Sequence, residues 1–245
     1  MMSETITVAE VFSSIQGEGP YVGYRQVFVR LTGCNLECAF CDTPESRSKV
    51  AAGNIEITAG KRDFQTILNP IPIDELAKYI NQLLIMPHHS VSLTGGEPLC
   101  QAEAIVKLAP FVNGRLYLET NGTLTEKLAL VLPYIDLISM DIKLPSTTGQ
   151  ELWQQHREFL QLANTRTVFV KLVVTNTTSV EEFQHAIELI AAVDCNIPLI
   201  IQPVTPIKNC EGATPDMVLA WQEQALTLLR DVRVIPQTHK FMNQL

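Results

Sequence analysis

The sequence predicts an α/β protein whose strands and helices alternate to form an open, partial barrel. From residue 72 onward, short apolar runs alternate with stretches that have apolar residues at helical spacing. The run 168–174 is almost continuously apolar, which is typical of a strand covered on both faces of a parallel sheet. Such alternation requires right-handed crossovers between parallel strands. Because the strand–helix units are too few for a closed eight-stranded barrel, we expect an open one.

The chain length is that of a single α/β domain. No internal repeat or linker divides the 245 residues, so we expect residues 1–245 to form one domain. The first strands are predicted at 5–12 and 27–31. Glycines, Pro70 and several charges then interrupt the pattern, which indicates an irregular insertion at about 44–71 with a short hairpin or helix. A mobile surface loop and a substrate lid both fit this insertion.

The later elements follow from apolar spacing and from helix caps. Ile73, Leu76 and Ile80 lie on one face of a predicted helix at 73–84. Ser179 and Glu182 have the spacing of a capping box, which predicts a helix from there to about residue 193. A threonine–proline pair at 214–215 predicts another helix start. The remaining predicted strands are 91–94, 116–119, 135–141, 168–174, 199–202 and 232–235, and the remaining helices are 101–111, 125–132 and 149–162.

Composition and charge limit the partners. The net charge of −8 argues against a general affinity for nucleic acid or anionic membrane. No apolar run approaches the length that spans a bilayer. The first five residues contain no basic segment followed by an apolar stretch, so nothing directs the chain to an oxidising compartment. We therefore expect a cytoplasmic protein that binds neither nucleic acid nor membrane.

The most informative stretch contains three closely spaced cysteines. Cys34, Cys38 and Cys41 have C-x-x-x-C-x-x-C spacing and follow a predicted strand that ends at Gly33. Three thiols in one short loop can bind a single metal centre, whereas tetrahedral zinc and a four-iron cluster need four ligands. The fourth position is filled either by a distant side chain or by a substrate or cofactor.

Scattered structural thiols, disulfides and a structural zinc site are the alternatives to an open iron–sulfur site. Structural thiols scattered through a core are rarely found as three cysteines in one short loop. Disulfides are disfavoured by the expected compartment. A structural zinc site needs a fourth ligand, and no candidate has the paired spacing of zinc ribbons. The candidates are His88, His89, Cys100, Cys195, Cys210 and His239. The sequence therefore favours an open, redox-active iron–sulfur site.

Other polar residues near strand ends have chemistry that suits ligands. Gly95 and Gly96 let a ligand approach the backbone, and Glu97 adds a carboxylate that accepts hydrogen bonds from an ammonium, although a plain tight turn is also compatible. Thr43 offers a hard oxygen suited to Mg²⁺, or caps a helix. Arg30 has the chemistry to bind an anion or the polar edge of a ring, and Glu119 to accept two donors.

These motifs resemble those of a known enzyme family. The cysteine spacing, with an aromatic residue before the last cysteine, is similar to that of the radical S-adenosylmethionine (SAM) superfamily. Flanking motifs resemble the 7-carboxy-7-deazaguanine synthase family over essentially the whole chain; they are residues 14–19, Arg30, 41–43, 94–98, 119–122 and 238–240. The resemblance implies an open partial (β/α)6-type TIM-like barrel. It also implies a [4Fe–4S] cluster held by the three cysteines, SAM on the fourth iron, and Mg²⁺ on Thr43.

The resemblance also assigns ligand contacts. It implies SAM contacts for Phe40, Cys41, Asp42, Gly96, Glu97, Asp141, Ile142, Lys143, Gln202, Pro203, Val204 and Thr205. It implies substrate contacts for Ile15, Gln16, Gly17, Arg30, Thr94, Glu119 and His239. Many relatives have Ser-Pro-Lys where this chain has Asp141-Ile142-Lys143, so Ser139 is an alternative SAM contact in this segment. The alternative role for Lys143 is that of a solvated charge at the rim of the site. His239 fits equally well as a surface histidine of the C-terminal segment.

The family reaction gives the expected function. The reduced cluster cleaves SAM to methionine and a 5′-deoxyadenosyl radical, which removes hydrogen from 6-carboxy-5,6,7,8-tetrahydropterin. Ring contraction and loss of ammonia give 7-carboxy-7-deazaguanine, a precursor in queuosine biosynthesis for tRNA modification, so the enzyme is a carbon–nitrogen lyase. The resemblance implies a homodimer and an electron donor such as flavodoxin or ferredoxin. An activase that generates a glycyl radical on a partner protein and a non-enzymatic zinc module are the alternatives.

Overall fold

The architecture is a curved, mostly parallel sheet with helices on its outer face. The computed structural model describes residues 4–207 and 210–244, so Met1–Ser3, on which the expected lack of a targeting segment partly depends, lie outside it. The described strands are β1 Thr5–Ile6, β2 Val8–Ile15, β3 Arg25–Leu31, β4 Ala52–Glu56, β5 Phe64–Leu68, β6 Ile71–Pro72, β7 Ser90–Gly95, β8 Leu116–Thr120, β9 Leu137–Asp141, β10 Thr167–Val174, β11 Leu199–Pro203 and β12 Val232–Val234. The described α-helices are α1 Ile73–Leu83, α2 Ala102–Leu108, α3 Thr125–Val131, α4 Pro145–Thr148, α5 Trp153–Ala163, α6 Val180–Val193, α7 Pro215–Leu226 and α8 Thr238–Phe241.

Ten of these strands form one sheet in the order β12-β11-β10-β9-β8-β7-β3-β2-β4-β5. The seven strands from β12 to β3 are parallel, and the six crossovers between them contain the helices α1 to α7. β2 runs antiparallel to β3, and β1 pairs separately with β6. In the described ranges no pairing joins β12 to β5, so the barrel stays open. The predicted fold class, an open (β/α) barrel, is confirmed.

The hydrophobic core lies between the outer face of the sheet and the helices. Side chains alternate along a strand, so Val27, Val29 and Leu31 of β3 face the helices while Phe28 and Arg30 face the barrel interior. α1 contributes its predicted apolar face, including the fully buried Leu76 and Ile80. The inner face has a smaller apolar cluster of Tyr117, Leu137, Phe169 and Ile200, and polar and charged side chains line the cavity beside it.

The insertion at 44–71 is more regular than its sequence indicates. It contains a 3₁₀ helix at Pro44–Arg47 and the hairpin of β4 and β5, which extends the main sheet through the parallel pairing of β4 with β2. The loop after β5 returns the chain to β6, which pairs with β1. This segment therefore forms the edge of the sheet.

One predicted helix boundary is wrong. Gly149, at the start of the predicted helix 149–162, instead ends α4 in the left-handed conformation at φ 70°, and α5 begins at Trp153. The caps of α6 and α7 are confirmed, with Ser179 and Glu182 forming both bonds of the capping box and Thr214 accepting from Met217. Within the described ranges, no helix has the length and apolarity needed to cross a membrane.

Candidate active site

One cavity inside the barrel is lined by most of the predicted ligand-binding residues. Its wall includes the cysteine loop after β3, the glycines at the end of β7, and residues at or beyond the ends of β8, β9 and β11. The predicted residues on this wall are Ile15, Gln16, Gly17, Arg30, Cys34, Cys38, Phe40, Cys41, Asp42, Thr43, Thr94, Gly96, Glu119, Asp141, Lys143, Gln202, Val204, Thr205 and His239. Strand topology brings them together because parallel strands end at one edge of the sheet.

The cysteine loop is anchored by backbone hydrogen bonds at its first cysteine and again further along. The backbone N–H of Gly33 donates to Ser46 O at 2.9 Å, and that of Cys34 donates to Arg47 O at 3.1 Å. Further along, Ala39 N donates to Thr147 O at 2.9 Å. Burial raises the pKa of the Cys34 and Cys38 thiols, so metal binding has to displace their protons.

The three thiols line one cavity but do not form a preassembled metal site. Across residues 4–207 and 210–244, no three His, Cys, Asp or Glu side chains lie at the spacing needed to hold one ion. The donor set still fits an iron–sulfur cluster, because three soft sulfur ligands face one cavity. Of the residues considered as a fourth zinc ligand, His239 is on the cavity wall, whereas Cys100 is not part of that wall.

The glycine pair after β7 brings its backbone close to the cysteine loop. A Cβ on Gly96 would lie 2.3 Å from the carbonyl oxygen of Gly33, and one on Gly95 would lie 2.1 Å from that of Leu31. Gly95 has φ +121°, in the range that favours glycine. Only glycine fits at these two positions, which keeps bare backbone at the cavity wall.

Glu97 lies behind this wall and is not part of it. Its side chain is fully buried and accepts hydrogen bonds from Leu99 N at 3.0 Å, Thr120 Oγ1 at 2.9 Å and Asn121 N at 2.7 Å. Burial raises the pKa of this carboxyl to about 7, against the opposing effect of these hydrogen bonds. The carboxylate therefore connects the ends of β7 and β8.

Glu119 is a carboxylate held in a fixed orientation inside the barrel. Its Oε1 accepts from Gln16 Nε2 at 2.9 Å and Ser92 Oγ at 2.8 Å, and its Oε2 accepts from Thr94 Oγ1 at 3.1 Å. Gln16 in turn donates to Gln26 Oε1 at 3.0 Å. These bonds orient the carboxylate as an acceptor for a ligand with adjacent N–H donors.

Arg30 is half-buried on the inner face of β3. Its Nε donates to Glu10 Oε2 at 3.1 Å, and its guanidinium lies 5.7 Å from the centre of the Phe12 ring. Phe12 also stacks on Phe28, with 5.3 Å between the ring centroids, and both rings line the cavity. A cation beside two aromatic rings suits an anionic, flat ligand.

Thr43 occupies the N-cap position of the 3₁₀ helix Pro44–Arg47 but does not cap it. Its backbone has φ −125° and ψ 53°, and its side chain makes no capping hydrogen bond. The residue lies on the cavity wall. The alternative role suggested for this threonine, capping a helix, therefore has no support in the geometry.

Four charged side chains form a network at one end of the cavity. Lys171 contacts Glu18 Oε2 and lies 3.4 Å from Asp141 Oδ1, while Lys143 Nζ donates to Asp141 Oδ2 at 2.7 Å. Burial alone raises the pKa of Glu18, but the Lys171 ammonium outweighs it and lowers that pKa to about 2. The pKa of Lys171 is raised in turn, because Asp141 and Glu18 outweigh the desolvation of the ammonium. Both members of the Glu18–Lys171 pair are therefore ionised at neutral pH.

The C-terminal segment packs against the loop after β2. Thr238 N donates to Gly17 O at 2.8 Å, and Gln237 Nε2 donates to both Glu18 Oε1 at 2.8 Å and Asp42 Oδ2 at 3.1 Å. A Cβ on Gly17 would lie 2.3 Å from His239 Nδ1. His239 therefore lies on the cavity wall, where burial lowers its pKa.

Comparison with known proteins identifies the family. The family model for the Radical SAM superfamily matches residues 28–198. The 7-carboxy-7-deazaguanine synthase of Geobacter sulfurreducens is 46% identical over 242 residues, which cover 96% of each chain. The chain belongs to the 7-carboxy-7-deazaguanine synthase family of radical SAM enzymes.

A further relative agrees with this assignment, and two solved structures share the fold. The 7-carboxy-7-deazaguanine synthase of Methanothermobacter thermautotrophicus is 35% identical and covers 95% of each chain. A crystal structure of QueE from Escherichia coli has the same fold, with a TM-score of 0.60 and 21% identity over 96% of this chain and 95% of that one. A radical SAM methyltransferase from Sphaerobacter thermophilus also has a TM-score of 0.60 at 12% identity, covering 87% of this chain and 66% of that one.

Three residues that the resemblance to this radical SAM family assigns to ligands are not on the cavity wall. They are Glu97, Ile142 and Pro203. Ile142 is buried in the core, and its backbone N–H donates to Lys171 O at 3.1 Å. Ser139, the alternative contact, is buried in β9. Lys143 is on the wall and lies 5.1 Å from the centre of the Phe40 ring, so it is not a solvated charge at the rim.

Several wall residues of this synthase-family chain are not among the ligand contacts predicted from the sequence. The principal ones are Glu18, Asn121, Lys171, Gln237 and Lys240. Lys171 interrupts the apolar run 168–174, and a charge in a strand buried on both faces is the signal that could have marked it. Asn121 lies two residues after Glu119, within the same 119–122 motif.

Proposed function

We propose that this enzyme converts 6-carboxy-5,6,7,8-tetrahydropterin to 7-carboxy-7-deazaguanine with loss of ammonia, as a step in queuosine precursor synthesis. The observation that supports this most strongly is the orientation of Glu119. Three protein donors fix its carboxylate on the wall of the same cavity that contains the three cysteines. A carboxylate held in this way matches the adjacent N–H donors of a pterin ring.

Other residues on the same cavity wall suit the cluster and SAM. Cys34, Cys38 and Cys41 would hold three irons, and the Gly95–Gly96 backbone would receive the amino end of SAM. When bound, the cluster and SAM supply a carbon-centred radical that removes a hydrogen atom from the substrate. The residues on this wall that would contact SAM are Phe40, Asp42, Asp141, Lys143, Gln202, Val204 and Thr205.

The substrate contacts follow from charge and shape. Arg30 would bind the pterin carboxylate, because its guanidinium lies on the wall beside two aromatic rings. Ile15, Gln16 and Gly17 would contact the flat ring, and His239 would close over it. The chain orients the ring and excludes water, which favours one direction of rearrangement over side reactions.

Magnesium would bind at Thr43. The hydroxyl is a hard oxygen, it lines the cavity, and it makes no capping bond. Bound there, Mg²⁺ would neutralise the substrate carboxylate and fix its orientation. We also propose a homodimer, reduction by a flavodoxin or ferredoxin, and a cytoplasmic location, as the family resemblance implies.

The reaction itself gives the first test. Anaerobic incubation with a reductant, SAM and 6-carboxytetrahydropterin is expected to release ammonia and form the deazapurine, measured by mass spectrometry. If SAM is cleaved without pterin turnover and a radical appears instead on a partner protein, the alternative activase function is correct and the synthase function is wrong.

Replacing Thr43 tests the magnesium site. Thr43→Val keeps the side-chain shape but removes the oxygen, so we expect turnover to fall and added Mg²⁺ to stimulate it less. Losing one of roughly six ligands weakens Mg²⁺ binding without abolishing it, so some activity returns at high Mg²⁺. Iron content and SAM binding should not change, because neither depends on this hydroxyl.

Thr214 provides a matched control for that experiment. Its hydroxyl does cap α7, at 3.4 Å from Met217 N, and the residue is not part of the cavity wall. Thr214→Val is expected to lose about 1 kcal/mol of folding stability and to keep the full magnesium response. An unchanged magnesium response in Thr43→Val would exclude Thr43 from the site.

A further inference from the structure

Three side chains beside the cysteine loop form a closed ring of hydrogen bonds. Asn35 Nδ2 donates to Thr123 Oγ1 at 2.9 Å, Thr123 Oγ1 donates to Asn121 Oδ1 at 2.6 Å, and Asn121 Nδ2 donates to Asn35 Oδ1 at 2.8 Å. Each residue donates once and accepts once. The ring therefore fixes the three side chains relative to one another.

The ring connects two loops that are far apart in sequence. Asn35 directly follows the first cysteine, whereas Asn121 and Thr123 belong to the loop between β8 and α3. Asn121 is only 6% exposed, and its backbone N–H donates to the buried Glu97 carboxylate at 2.7 Å. The ring is therefore fixed to the end of the sheet.

Glu97 also holds the residue on the other side of Cys34. Its backbone N–H donates to Gly33 O at 2.7 Å. Cys34 is thus held from both directions, by Glu97 through Gly33 and by Asn121 through Asn35. Cys38 and Cys41 lie further along the loop, beyond both of these attachments.

We propose that Asn35, Asn121 and Thr123 are positioning residues that orient Cys34 as a cluster ligand. Groups that orient metal ligands typically change metal affinity by about 10- to 100-fold when they are removed. The inference rests on the cluster-binding part of the proposed function and is independent of which substrate the enzyme uses. Thr123 is the most useful residue to test, because it is not part of the cavity wall.

The test compares two substitutions of Thr123 in the reconstituted, cluster-containing enzyme. Thr123→Val removes the hydroxyl and opens the ring, whereas Thr123→Ser keeps the hydroxyl. We expect Thr123→Val to lose iron to a chelator about 10-fold faster than the wild type and to show an altered electron paramagnetic resonance spectrum of the reduced cluster. Thr123→Ser should retain the wild-type rate and spectrum.

Thr66→Val is the control for losing a hydrogen-bonded threonine elsewhere. Its hydroxyl donates to Asn54 Oδ1 at 3.0 Å on the exposed hairpin, and its removal should change neither readout. A wild-type rate of iron loss and a wild-type spectrum in Thr123→Val would overturn the inference, as would equal impairment of Thr123→Ser. Failure of the wild-type protein itself to assemble a cluster would instead refute the proposed function.

Discussion

Replacing Cys34, Cys38 or Cys41 by alanine is expected to abolish both cluster binding and turnover. Each thiol lines the same cavity, and the three come from one loop that offers three sulfur ligands. Loss of one thiolate leaves an iron without a protein ligand, so the effect should be near total. Iron and sulfide analysis after anaerobic reconstitution, together with the visible absorption of the cluster, measures it directly.

The three remaining cysteines are the matched controls. Cys100, Cys195 and Cys210 are free thiols that are not part of the cavity wall. Cys100 is the most stringent control, because it lies next to the cysteine loop: its Cβ is 3.7 Å from where a Cβ on Gly33 would be. Burial raises the pKa of the Cys100 thiol to about 11. Alanine at each position should leave the iron content unchanged. If Cys100 proved essential for iron binding, the assignment of three cysteine ligands with an open fourth position would be incorrect.

The fold could be predicted from the sequence where the spacing of apolar residues and the helix-capping residues indicated the same elements. The run 168–174 is confirmed, because β10 is buried on both faces of the parallel sheet. The helix face through Ile73, Leu76 and Ile80 is confirmed, because α1 buries only one side. The hairpin of β4 and β5 was harder to place. β5 is an edge strand with no buried residue, so no alternation of buried and exposed positions marks it in the sequence.

Site residues could be predicted from the sequence where they belong to a motif of the resembling family. They were harder to predict where only the tertiary structure brings them to the cavity. Cys34, Gly96 and Glu119 stand at strand ends, so topology alone brings them to one cavity. Glu97 belongs to the same motif as Gly96, yet its side chain lies behind the wall. There it accepts hydrogen bonds from the backbone N–H groups of Asn121 and Leu99. Local spacing does not determine on which side of a turn a side chain lies.

The Glu18–Lys171 pair could not have been inferred from sequence, since 153 positions separate its members. Its removal is the second large effect that we expect. The Lys171 side chain is 8% exposed and that of Glu18 is 18% exposed, so Lys171→Met leaves a buried carboxylate without its cation. Breaking a buried ion pair in this way typically lowers folding stability by about 3–5 kcal/mol. Chemical denaturation should show the loss directly.

Two comparisons separate the ion pair from general damage. Lys127→Met removes the exposed lysine that pairs with Glu103, and surface pairs contribute only about 0–1 kcal/mol. The double variant Glu18→Gln, Lys171→Met removes both charges and should recover part of the stability that Lys171→Met loses. If the double variant were as unstable as the sum of the two single variants, the charge pairing would not be the cause.

The pH dependence of the same variants gives the sign of the effect. In the wild type the lowered pKa of Glu18, about 2, means that the pair stabilises the fold fully above the ordinary glutamate pKa of about 4.3 and loses this contribution as the pH falls towards 2. In Lys171→Met, burial is no longer opposed by the ammonium and raises the pKa of Glu18, so the carboxyl takes up a proton as the solution is acidified. The stability difference between the two proteins should therefore be greatest at about pH 8 and shrink towards about pH 4. A difference that stayed constant over this range would show that Lys171 stabilises the fold through packing of its aliphatic chain and not through its charge.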